Sequence, residues 1–368
     1  MRYCKKCVQP DTRPKIYFNE EGVCGACLWE EEQKKIDWGK REQELHEIAE
    51  WAKAEAAKRD TYDAALGASG GKDTLFTALY ARDRLGLNCL MVNAAPESIT
   101  DVGRKNLENL RNHGFDTITI AVNPVVQKEL MRRDFPKYLQ IRKSSEYPLW
   151  ASVYTAAKEK NIPLVIQGEN AALTLGVSQD INTDGDASQI YRTNTLGGKT
   201  AAEEYADVVQ KKDIFLYQFP DLSNWDGKAI WIQYYAREWS PYGNAQFAIQ
   251  HGLTMRDDDL HELGRLHHWS SCDSDFHIVN QTLKYVKLGF GFATDEACYD
   301  IREGLLTREE GLKLVKEYDG LCGEKYIKKF CDWMGIGVDE FWETVEKWRN
   351  KELFEKVDGK WKLKSDYQ

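Results

Sequence analysis

A short glycine-containing segment carries the residue types best suited to phosphate chemistry. Its members are Ser69, Gly70, Gly71, Lys72, Asp73 and Thr74. The segment lies between a short apolar run and a helical pattern, so its backbone N–H groups are predicted to converge at the positive end of a helix dipole, where phosphate binds. The hydroxyls and the lysine add donors, and the carboxylate of Asp73 suits Mg²⁺. The alternative is a glycine turn used only for close packing.

The spacing of these residues differs from that of more widespread nucleotide loops. The common nucleoside triphosphatase loop requires G-x-x-x-x-G-K followed by serine or threonine. Here Gly67 stands only four positions before Gly71, and Lys72 is followed by Asp73. The pattern S-G-G-x-D-S/T after a strand instead resembles the PP-loop ATP pyrophosphatases. This resemblance implies that the loop holds the pyrophosphate of ATP while a substrate oxygen attacks the α-phosphate.

The same resemblance implies where the rest of the ATP molecule binds. The backbone around Met91 to Asn93 is expected beside the adenine, and Gly168 with Glu169 is expected to close the other side of the site. Asn93 and Gly168 are therefore candidate nucleotide-binding residues, and Glu169 is a candidate catalytic residue. The alternative for Glu169 is a surface carboxylate at the end of a strand.

Four of the nine cysteines form two C-x-x-C pairs near the N-terminus. Cys4 pairs with Cys7 and Cys24 with Cys27, and the 16 residues between the pairs suit a tetrahedral Zn²⁺ site. Four thiolates fill the coordination sphere of zinc, so the site is predicted to be structural and to fold a segment that lacks a core. The alternative is a pair that carries sulfur in redox or thiolation chemistry.

Composition and charge narrow the class of protein. The chain has 368 residues, of which 42% are hydrophobic and 30% charged, which is typical of a globular protein with a full core. The net charge of −9 argues against a protein that mainly neutralises nucleic-acid phosphates. No stretch approaches the roughly 20 apolar residues of a membrane span, and no secretion signal is recognisable. We expect a cytoplasmic protein with no nucleic-acid partner.

From residue 62 onward, short apolar runs alternate with helical patterns. Strands are predicted over residues 62–67, 87–94, 116–122, 163–167 and 229–236, most of them separated by helices. This alternation predicts an α/β fold with a parallel, doubly wound sheet, in which ligands bind at the carboxyl ends of the strands. The turns at Gly67 to Gly71 and at Gly168 fall at such ends.

Four regions are predicted along the chain. They are a zinc ribbon over residues 1–30, a helical connector over 31–60, a PP-loop ATP pyrophosphatase domain over 61–240 and a mainly helical region over 241–368. Within the last region, Thr307 and Glu310 predict a capping box that opens a helix toward Tyr318. The Asp358-Gly359 pair predicts the turn of a terminal hairpin.

The zinc pairs, the loop and a C-terminal stretch together resemble the bacterial N-acetyl sugar amidotransferases of lipopolysaccharide, pseudaminic acid and other nonulosonate pathways. The markers that carry the resemblance are residues 4–14, Gln167-Gly168-Glu169-Asn170, and residues 284–291 continuing to Thr294-Asp295. Members of this family convert the acetamido group of a sugar to an acetamidino group. Two departures are Phe292, where a basic residue is expected, and the weakly similar segment 171–230, which is expected to decide substrate identity.

The chemistry implied by this resemblance fits the candidate residues. An amide oxygen is a poor leaving group, but its adenylation gives an O-adenylyl imidate from which ammonia displaces AMP. Asp73 is expected to hold Mg²⁺, and Lys287 to neutralise the α-phosphate. His267 and His268 are candidates for proton transfer. The alternatives are a lysine on the solvated face of its helix and histidines that simply pack beside Trp269.

The source of ammonia is predicted to be a separate protein. The nearest approaches to a G-x-C-x-G nucleophile elbow are residues 22–26, whose cysteine belongs to the zinc pairs, and residues 320–324, which lack the final glycine. The resemblance therefore implies a partner glutaminase and a barrel protein that conducts ammonia. The other partner is the N-acetylated sugar or sugar nucleotide itself.

Two other functions compete with this one. A tRNA thiolation enzyme would share the loop and zinc pairs, but it requires a basic RNA-binding face and a reactive cysteine near the ATP site. A zinc-ribbon interaction protein on an inactive nucleotide-binding scaffold would bind partners without catalysis. Release of AMP and pyrophosphate that depends on an acceptor would distinguish an enzyme from the latter.

Overall fold

The computed structural model describes residues 1–177, 183–190 and 195–364. A parallel sheet lies at its centre, formed by β1 (Ala64–Gly67), β2 (Cys89–Ala94), β3 (Asp116–Ile120), β4 (Leu164–Gln167) and β5 (Lys228–Trp231). The strands follow the order β3-β2-β1-β4-β5, and every neighbouring pair is parallel. The predicted doubly wound α/β fold is therefore confirmed. β1 lies in the middle, so whatever follows it stands at the centre of the carboxyl edge of the sheet.

Helices surround this sheet and continue into the C-terminal third. In the first two thirds they are α1 (Gly25–Gln33), α2 (Trp38–Arg59), α3 (Lys72–Asp83), α4 (Asp101–Asn112), α5 (Pro124–Tyr138), α6 (Lys143–Glu159), α7 (Ala171–Thr174), α8 (Ala201–Glu204), a 3₁₀ helix (Lys211–Tyr217) and α9 (Ile232–Tyr235). Beyond these are α10 (Pro241–Gln250), α11 (Leu260–Leu263), α12 (Phe276–Leu288), α13 (Phe292–Arg302), α14 (Arg308–Tyr318), α15 (Glu324–Met334) and α16 (Val338–Trp348). Among the described residues, no helix is long and apolar enough to cross a bilayer.

The two faces of the sheet bury alternate residues of each strand, as the two-residue period of a strand requires. Ala64 and Leu66 of β1 pack in one cluster with α2, α3 and α10. Ala65 points to the opposite face and packs with α6 through Val153 and Ala157. Helices cover both faces of the central strands β1, β2 and β4, which explains why these strands are almost entirely buried and mostly apolar.

The C-terminal helices are not a separate body, since they pack against α5 and against the N-terminal cysteine pairs. Met131 and Phe135 of α5 share a buried cluster with residues of α12, α15 and α16. The cysteine pairs share another cluster with Ala297 and Cys298 of α13. The guanidinium Nε of Arg308 donates to the backbone carbonyls of both Cys4 and Cys7 at 3.1 Å. The N-terminal ribbon is thus fixed to the C-terminal helices.

Several local predictions are confirmed and one is wrong in part. The capping box of Thr307 and Glu310 opens α14, and β6 (Phe354–Val357) with β7 (Lys360–Leu363) forms the antiparallel terminal hairpin. The strand predicted over 229–236 ends at Trp231, where α9 begins. There the amide oxygen of Gln233 accepts from the backbone N–H of Asn170 at 2.8 Å. Part of the segment 171–230, at 178–182 and 191–194, lies outside the described residues.

Candidate active site

The glycine-containing loop lies at the carboxyl end of β1 and leads directly into α3. Gly71 is the residue before the first helical turn, so the free N–H groups of α3 face the space beyond the sheet. The backbone N–H of Gly71 donates to the hydroxyl of Ser69 at 3.2 Å, and that of Ser69 donates to the hydroxyl of Thr74 at 3.3 Å. These short-range bonds hold the loop in a tight turn around one concave spot, the arrangement that binds phosphate.

Gly70 allows this turn to lie close against α4. Its φ of +77° falls in the left-handed region that side chains disfavour. A Cβ atom at this position would stand 2.9 Å from backbone atoms of Asn106 and Leu107. Backbone cannot move aside as a flexible side chain can, so the loop requires glycine here for two independent reasons.

Lys72 and Asp73 form an ion pair at the start of α3. The lysine ammonium lies 2.8 Å from Oδ1 and 2.6 Å from Oδ2 of the aspartate. The side-chain amide of Asn244, from α10, also donates to Oδ1 at 2.8 Å. The aspartate is therefore fixed from two sides, and a cation already occupies the position beside its carboxylate.

Two cavities meet at this loop. The smaller, of about 310 Å³, lies at the carboxyl ends of β1, β2, β4 and β5. The larger, of about 560 Å³, extends from the loop to the C-terminal helices. Residues that line both are Ser69, Asp73, Arg142, Leu149, Glu169 and Asp273. Since these side chains mark the junction, a molecule in one cavity would meet a molecule in the other beside the loop.

Glu169 stands at the junction in an environment that disfavours its charge. Burial and the neighbouring carboxylate of Asp73 raise the pKa of Glu169 to about 7. A divalent cation between two carboxylates would remove this repulsion, because it would neutralise both. Asp73 and Glu169 are therefore the residues that could hold Mg²⁺ at this junction.

The far wall of the larger cavity carries an ion cluster that joins the two ends of the chain. Asp295 of α13 is paired with the guanidinium of Arg13, from the N-terminal ribbon, and with the ammonium of Lys284 of α12 at 2.9 Å. Burial alone would raise the pKa of Asp295, but the two cations outweigh it and hold the pKa below its ordinary value. The Nε of Arg13 is buried and has no hydrogen-bond partner among the described residues. The ribbon thus supplies a cation to the cavity wall.

Two histidines line the same cavity and have different hydrogen-bond partners. His267 Nε2 lies 2.8 Å from a carboxylate oxygen of Asp300. His277 Nδ1 contacts the hydroxyl of Ser271 and, at 3.2 Å, the guanidinium of Arg265. Burial and the charge of Arg265 hold the pKa of His277 well below its ordinary value, so this imidazole stays neutral.

The four N-terminal cysteines converge as the spacing predicts. All are buried, and their sulfur atoms lie within 4.8 Å of one another, with Cys4 to Cys27 at 3.9 Å and Cys7 to Cys24 at 3.6 Å. Four sulfurs at about 2.3 Å from one ion in tetrahedral geometry stand slightly less than 4 Å apart. The backbone N–H groups of Lys6 and Gln9 donate to the sulfurs of Cys4 and Cys7, which favours thiolates. The cluster therefore fits a metal ion such as Zn²⁺.

The structure brings most of the predicted residues together, but not all. Ser69, Gly71, Lys72, Asp73, Thr74, Gly168 and Glu169 line one or both cavities. Lys287 does not, because its ammonium donates to the backbone carbonyl of Tyr138 at 2.7 Å. The side chain of Asn93 is buried and donates to the carbonyl of Ala68, so it stabilises the backbone just before the loop. Lys284, one turn before Lys287, is the lysine of α12 that reaches the cavity.

Sequence reasoning assigned no role to several residues of the far wall. The polar residues Asn280, Gln281 and Lys284 share one face of α12, and Asp295, Glu296, Tyr299 and Asp300 share one face of α13. Such polar residues at helical spacing in otherwise apolar helices are the signal that would have found them. Lys284 and Asp295 also lie within the C-terminal marker that carries the family resemblance.

A parallel sheet with the S-G-G-K-D-T loop at its central carboxyl edge defines the PP-loop fold class. Residues 264–367 match the family model described as "LPS biosynthesis protein WbpG-like, C-terminal domain". This chain therefore has the PP-loop fold, and its C-terminal part is similar to the WbpG-like lipopolysaccharide biosynthesis family. The resemblance to a surface-polysaccharide family is thereby confirmed. No curated protein matches the chain significantly.

The solved structures that are similar to this chain have low sequence identity and low TM-scores. NMN synthetase from Francisella tularensis is 16% identical with a TM-score of 0.29, covering 61% of this chain and 100% of its own. The NH3-dependent NAD synthetase from Campylobacter jejuni is 14% identical with a TM-score of 0.31, covering 56% and 98%. The U34-tRNA thiolase NcsA from Methanococcus maripaludis, solved with its 4Fe-4S cluster, is 14% identical with a TM-score of 0.29, covering 83% and 87%. Similarity at this level carries no conclusion about activity.

Proposed function

We propose that this chain uses ATP to convert the acetamido group of a sugar or sugar nucleotide to an acetamidino group. The observation that carries this proposal is the position of the loop at the junction of two cavities. One cavity lies at the carboxyl ends of the strands, where an adenosine would bind. The other is larger and lined by many polar and charged side chains, which suits a sugar.

The loop would hold the pyrophosphate that leaves ATP. Its backbone N–H groups and the hydroxyls of Ser69 and Thr74 donate hydrogen bonds, and the ammonium of Lys72 adds a positive charge. Asp73 and Glu169 would hold Mg²⁺, whose contribution when bound is to neutralise phosphate charge. For Lys72 to reach a phosphate, its ammonium must leave the carboxylate of Asp73, which then becomes available to the metal.

The acceptor would contribute the oxygen that attacks the α-phosphate. The acetamido oxygen forms a bond to phosphorus and pyrophosphate leaves, which gives an O-adenylyl imidate. The nitrogen of ammonia then attacks the imidate carbon, and AMP departs with the former amide oxygen. Arg13 and Lys284, on the far wall, would provide cations for negative groups of the acceptor.

Ammonia would come from a partner glutaminase through an ammonia-conducting barrel protein. Two cysteines lie in the segments that come nearest to a glutaminase motif, residues 22–26 and 320–324. Cys24 belongs to the metal cluster, and Cys322 lies outside both cavities. Cys322 is also buried enough that the pKa of its thiol is raised to about 12, which disfavours a nucleophilic thiolate. An external ammonia source is therefore favoured.

A thiolation function is favoured by one observation and opposed by another. Cys272 lines the larger cavity, where a sulfur-transferring cysteine would be needed. Burial, however, raises the pKa of its thiol and disfavours the reactive thiolate. Cys272→Ser should leave acetamidino formation intact but would abolish sulfur transfer.

The experiment that tests the proposal supplies ATP, Mg²⁺, ammonium and one candidate acceptor at a time. UDP-linked N-acetylhexosamines and CMP-linked N-acetylated nonulosonates are the acceptors to try. We expect one of them to trigger release of AMP and pyrophosphate in equal amounts. Mass spectrometry should show that an NH group has replaced one oxygen of the acceptor. Pyrophosphate release without this change in mass would contradict the proposal.

A further inference from the structure

His267 and Asp300 form a hydrogen-bonded pair in the wall of the larger cavity. The distance from Nε2 to the carboxylate oxygen is 2.8 Å, and both residues line the cavity. The Asp300 side chain is only 6% exposed and that of His267 19%. The imidazole stacks on the indole of Trp269 at 3.9 Å between ring centroids and 15° between planes. The ring is therefore fixed by one hydrogen bond and one stacking contact.

The hydrogen bond determines which nitrogen can take a proton. Because a carboxylate only accepts, Nε2 of His267 must carry the hydrogen that lies toward Asp300. Nδ1 then keeps its lone pair, and within the described ranges no protein group donates to it. Such a carboxylate also stabilises the imidazolium that forms when Nδ1 takes up a proton. The pair has the arrangement of a general base.

Other candidates at the cavity are less suited to this role. His277 already accepts at Nδ1 from Arg265 and Ser271, and its pKa is held well below the ordinary value. Glu169 lies beside Asp73, where a metal ion would use its lone pairs. Lys284 is paired with Asp295 and carries no lone pair while it is charged. Compared with these three residues, His267 has both an available lone pair and a stabilising carboxylate partner.

The second half of the proposed reaction needs such a base. When ammonia attacks the protonated imidate carbon, the new C–N bond leaves a positive charge on a nitrogen with three hydrogens. This nitrogen must lose one proton before its lone pair can expel AMP, since otherwise ammonia itself is the better leaving group. The proton goes to the base, the C–O bond to AMP breaks, and the product is an acetamidinium.

We propose that His267 accepts this proton at Nδ1 and that Asp300 positions its ring. The inference rests on the proposed function and adds to it a catalytic residue for the step after adenylation. It requires nothing of His267 while the acetamido oxygen attacks ATP. The two half-reactions should therefore respond differently to substitution, which gives the proposal a direct test.

The test compares His267→Gln and Asp300→Asn with the full-length wild-type chain, using the acceptor identified above. A single-turnover experiment measures pyrophosphate release and acetamidino product separately. We expect pyrophosphate release to change little, while acetamidino formation from ammonia falls about 100-fold for His267→Gln, the lower range for loss of a general base. In Asp300→Asn, the rate of acetamidino formation should also fall, but by a smaller factor. With hydroxylamine in place of ammonia, the substitutions should slow product formation less, because the hydroxylamine adduct loses a proton to water more easily.

His261→Gln is the matched control. His261 Nε2 lies 3.0 Å from a carboxylate oxygen of Glu317, but this pair is exposed and lies outside both cavities. Its substitution should leave both half-reactions unchanged. His267→Ala with added imidazole separates catalysis from folding, because imidazole should restore ammonia-dependent turnover only if a base is what the variant lacks.

Two results would overturn the proposal by different routes. Equal loss of pyrophosphate release and acetamidino formation in His267→Gln, without rescue by imidazole, would assign His267 to binding or folding and leave the proposed function standing. A wild-type chain that releases no acceptor-dependent pyrophosphate with any of the acceptors would overturn the proposed function, and the role of His267 with it.

Discussion

The ammonium of Lys72 lies within 2.8 Å of both carboxylate oxygens of its neighbour Asp73. This ion pair places the predicted phosphate ligand on the predicted metal ligand, so ATP with Mg²⁺ must separate them. In the proposed function, binding of the nucleotide would therefore replace the ammonium beside Asp73 with Mg²⁺. The positive charge beside the carboxylate would then rise from one to two, while the lysine would become free to contact phosphate.

Asp73→Asn should abolish this exchange. We expect acceptor-dependent pyrophosphate release to fall by about 100-fold, as for other losses of a charged transition-state contact. Its rate should also lose most of its dependence on Mg²⁺ concentration. Asp83→Asn is the control, because Asp83 pairs with its neighbour Arg82 at 2.6 Å near the opposite end of the same helix. An Asp73→Asn enzyme with an unchanged Mg²⁺ dependence would exclude Asp73 as a metal ligand.

Substitution of Gly70 should damage the loop by close contact as well as by backbone strain. In Gly70→Ala the new methyl group meets backbone atoms of Asn106 and Leu107 at 2.9 Å, and φ is +77°. Gly304→Ala is the matched control, since its φ is +75° but no atom lies within 4 Å of its added Cβ. Strain alone costs about 1–3 kcal/mol.

Both glycine variants should therefore lose stability in urea unfolding, but only Gly70→Ala should also lose ATP binding. Binding is best measured by calorimetry under conditions where both variants remain folded. Equal ATP affinity in the two variants would show that the approach of the loop to α4 is unimportant for the site.

How far the sequence predicts this site depends on whether the residues are close in sequence or only in space. The S-G-G-K-D-T loop, the cysteine cluster and the turn at Gly168 are local patterns with fixed spacing, and the structure brings the loop and the turn to one edge of the sheet. The fold follows because apolar runs separated by helices permit few other sheets. Asn93 lies in the predicted strand, but its amide turns toward the carbonyl of Ala68.

The far wall could not be predicted in the same way, because tertiary packing alone determines it. Lys284 and Lys287 lie on one helix within a single turn, and the sequence does not say which of them faces the cavity. The answer depends on how α12 packs against α5, which places the ammonium of Lys287 on the carbonyl of Tyr138. The contribution of Arg13 likewise depends on contact between the two ends of the chain.

Loss of the metal proposed for the cysteine cluster should impair catalysis, although none of the four cysteines lines either cavity. Metal binding supplies the folding free energy of such a segment, and the segment carries Arg13 to the cavity wall. Cys24→Ser should therefore lower the metal content, the melting temperature and the rate of acetamidino formation together. Cys322→Ser, which alters a cysteine outside the cluster, should change none of the three. Full activity in a Cys24→Ser chain that contains no metal would separate the ribbon from catalysis.

Glu169 should give the metal-free protein a characteristic pH dependence. Its pKa is raised to about 7 in the folded state by burial and by Asp73, whereas an unfolded glutamate keeps a value near 4.5. Between these values the folded state binds more protons than the unfolded state, so this residue makes stability fall as pH rises from about 4.5 to about 7.

Glu169→Gln should make stability less dependent on pH over this range, whereas Glu343→Gln, an exposed change on α16, should not. Urea unfolding across this pH range measures the slope, and Mg²⁺ should reduce it in the wild-type chain if the ion binds between Asp73 and Glu169. A slope that neither Mg²⁺ nor the Glu169→Gln substitution alters would place the titrating group elsewhere.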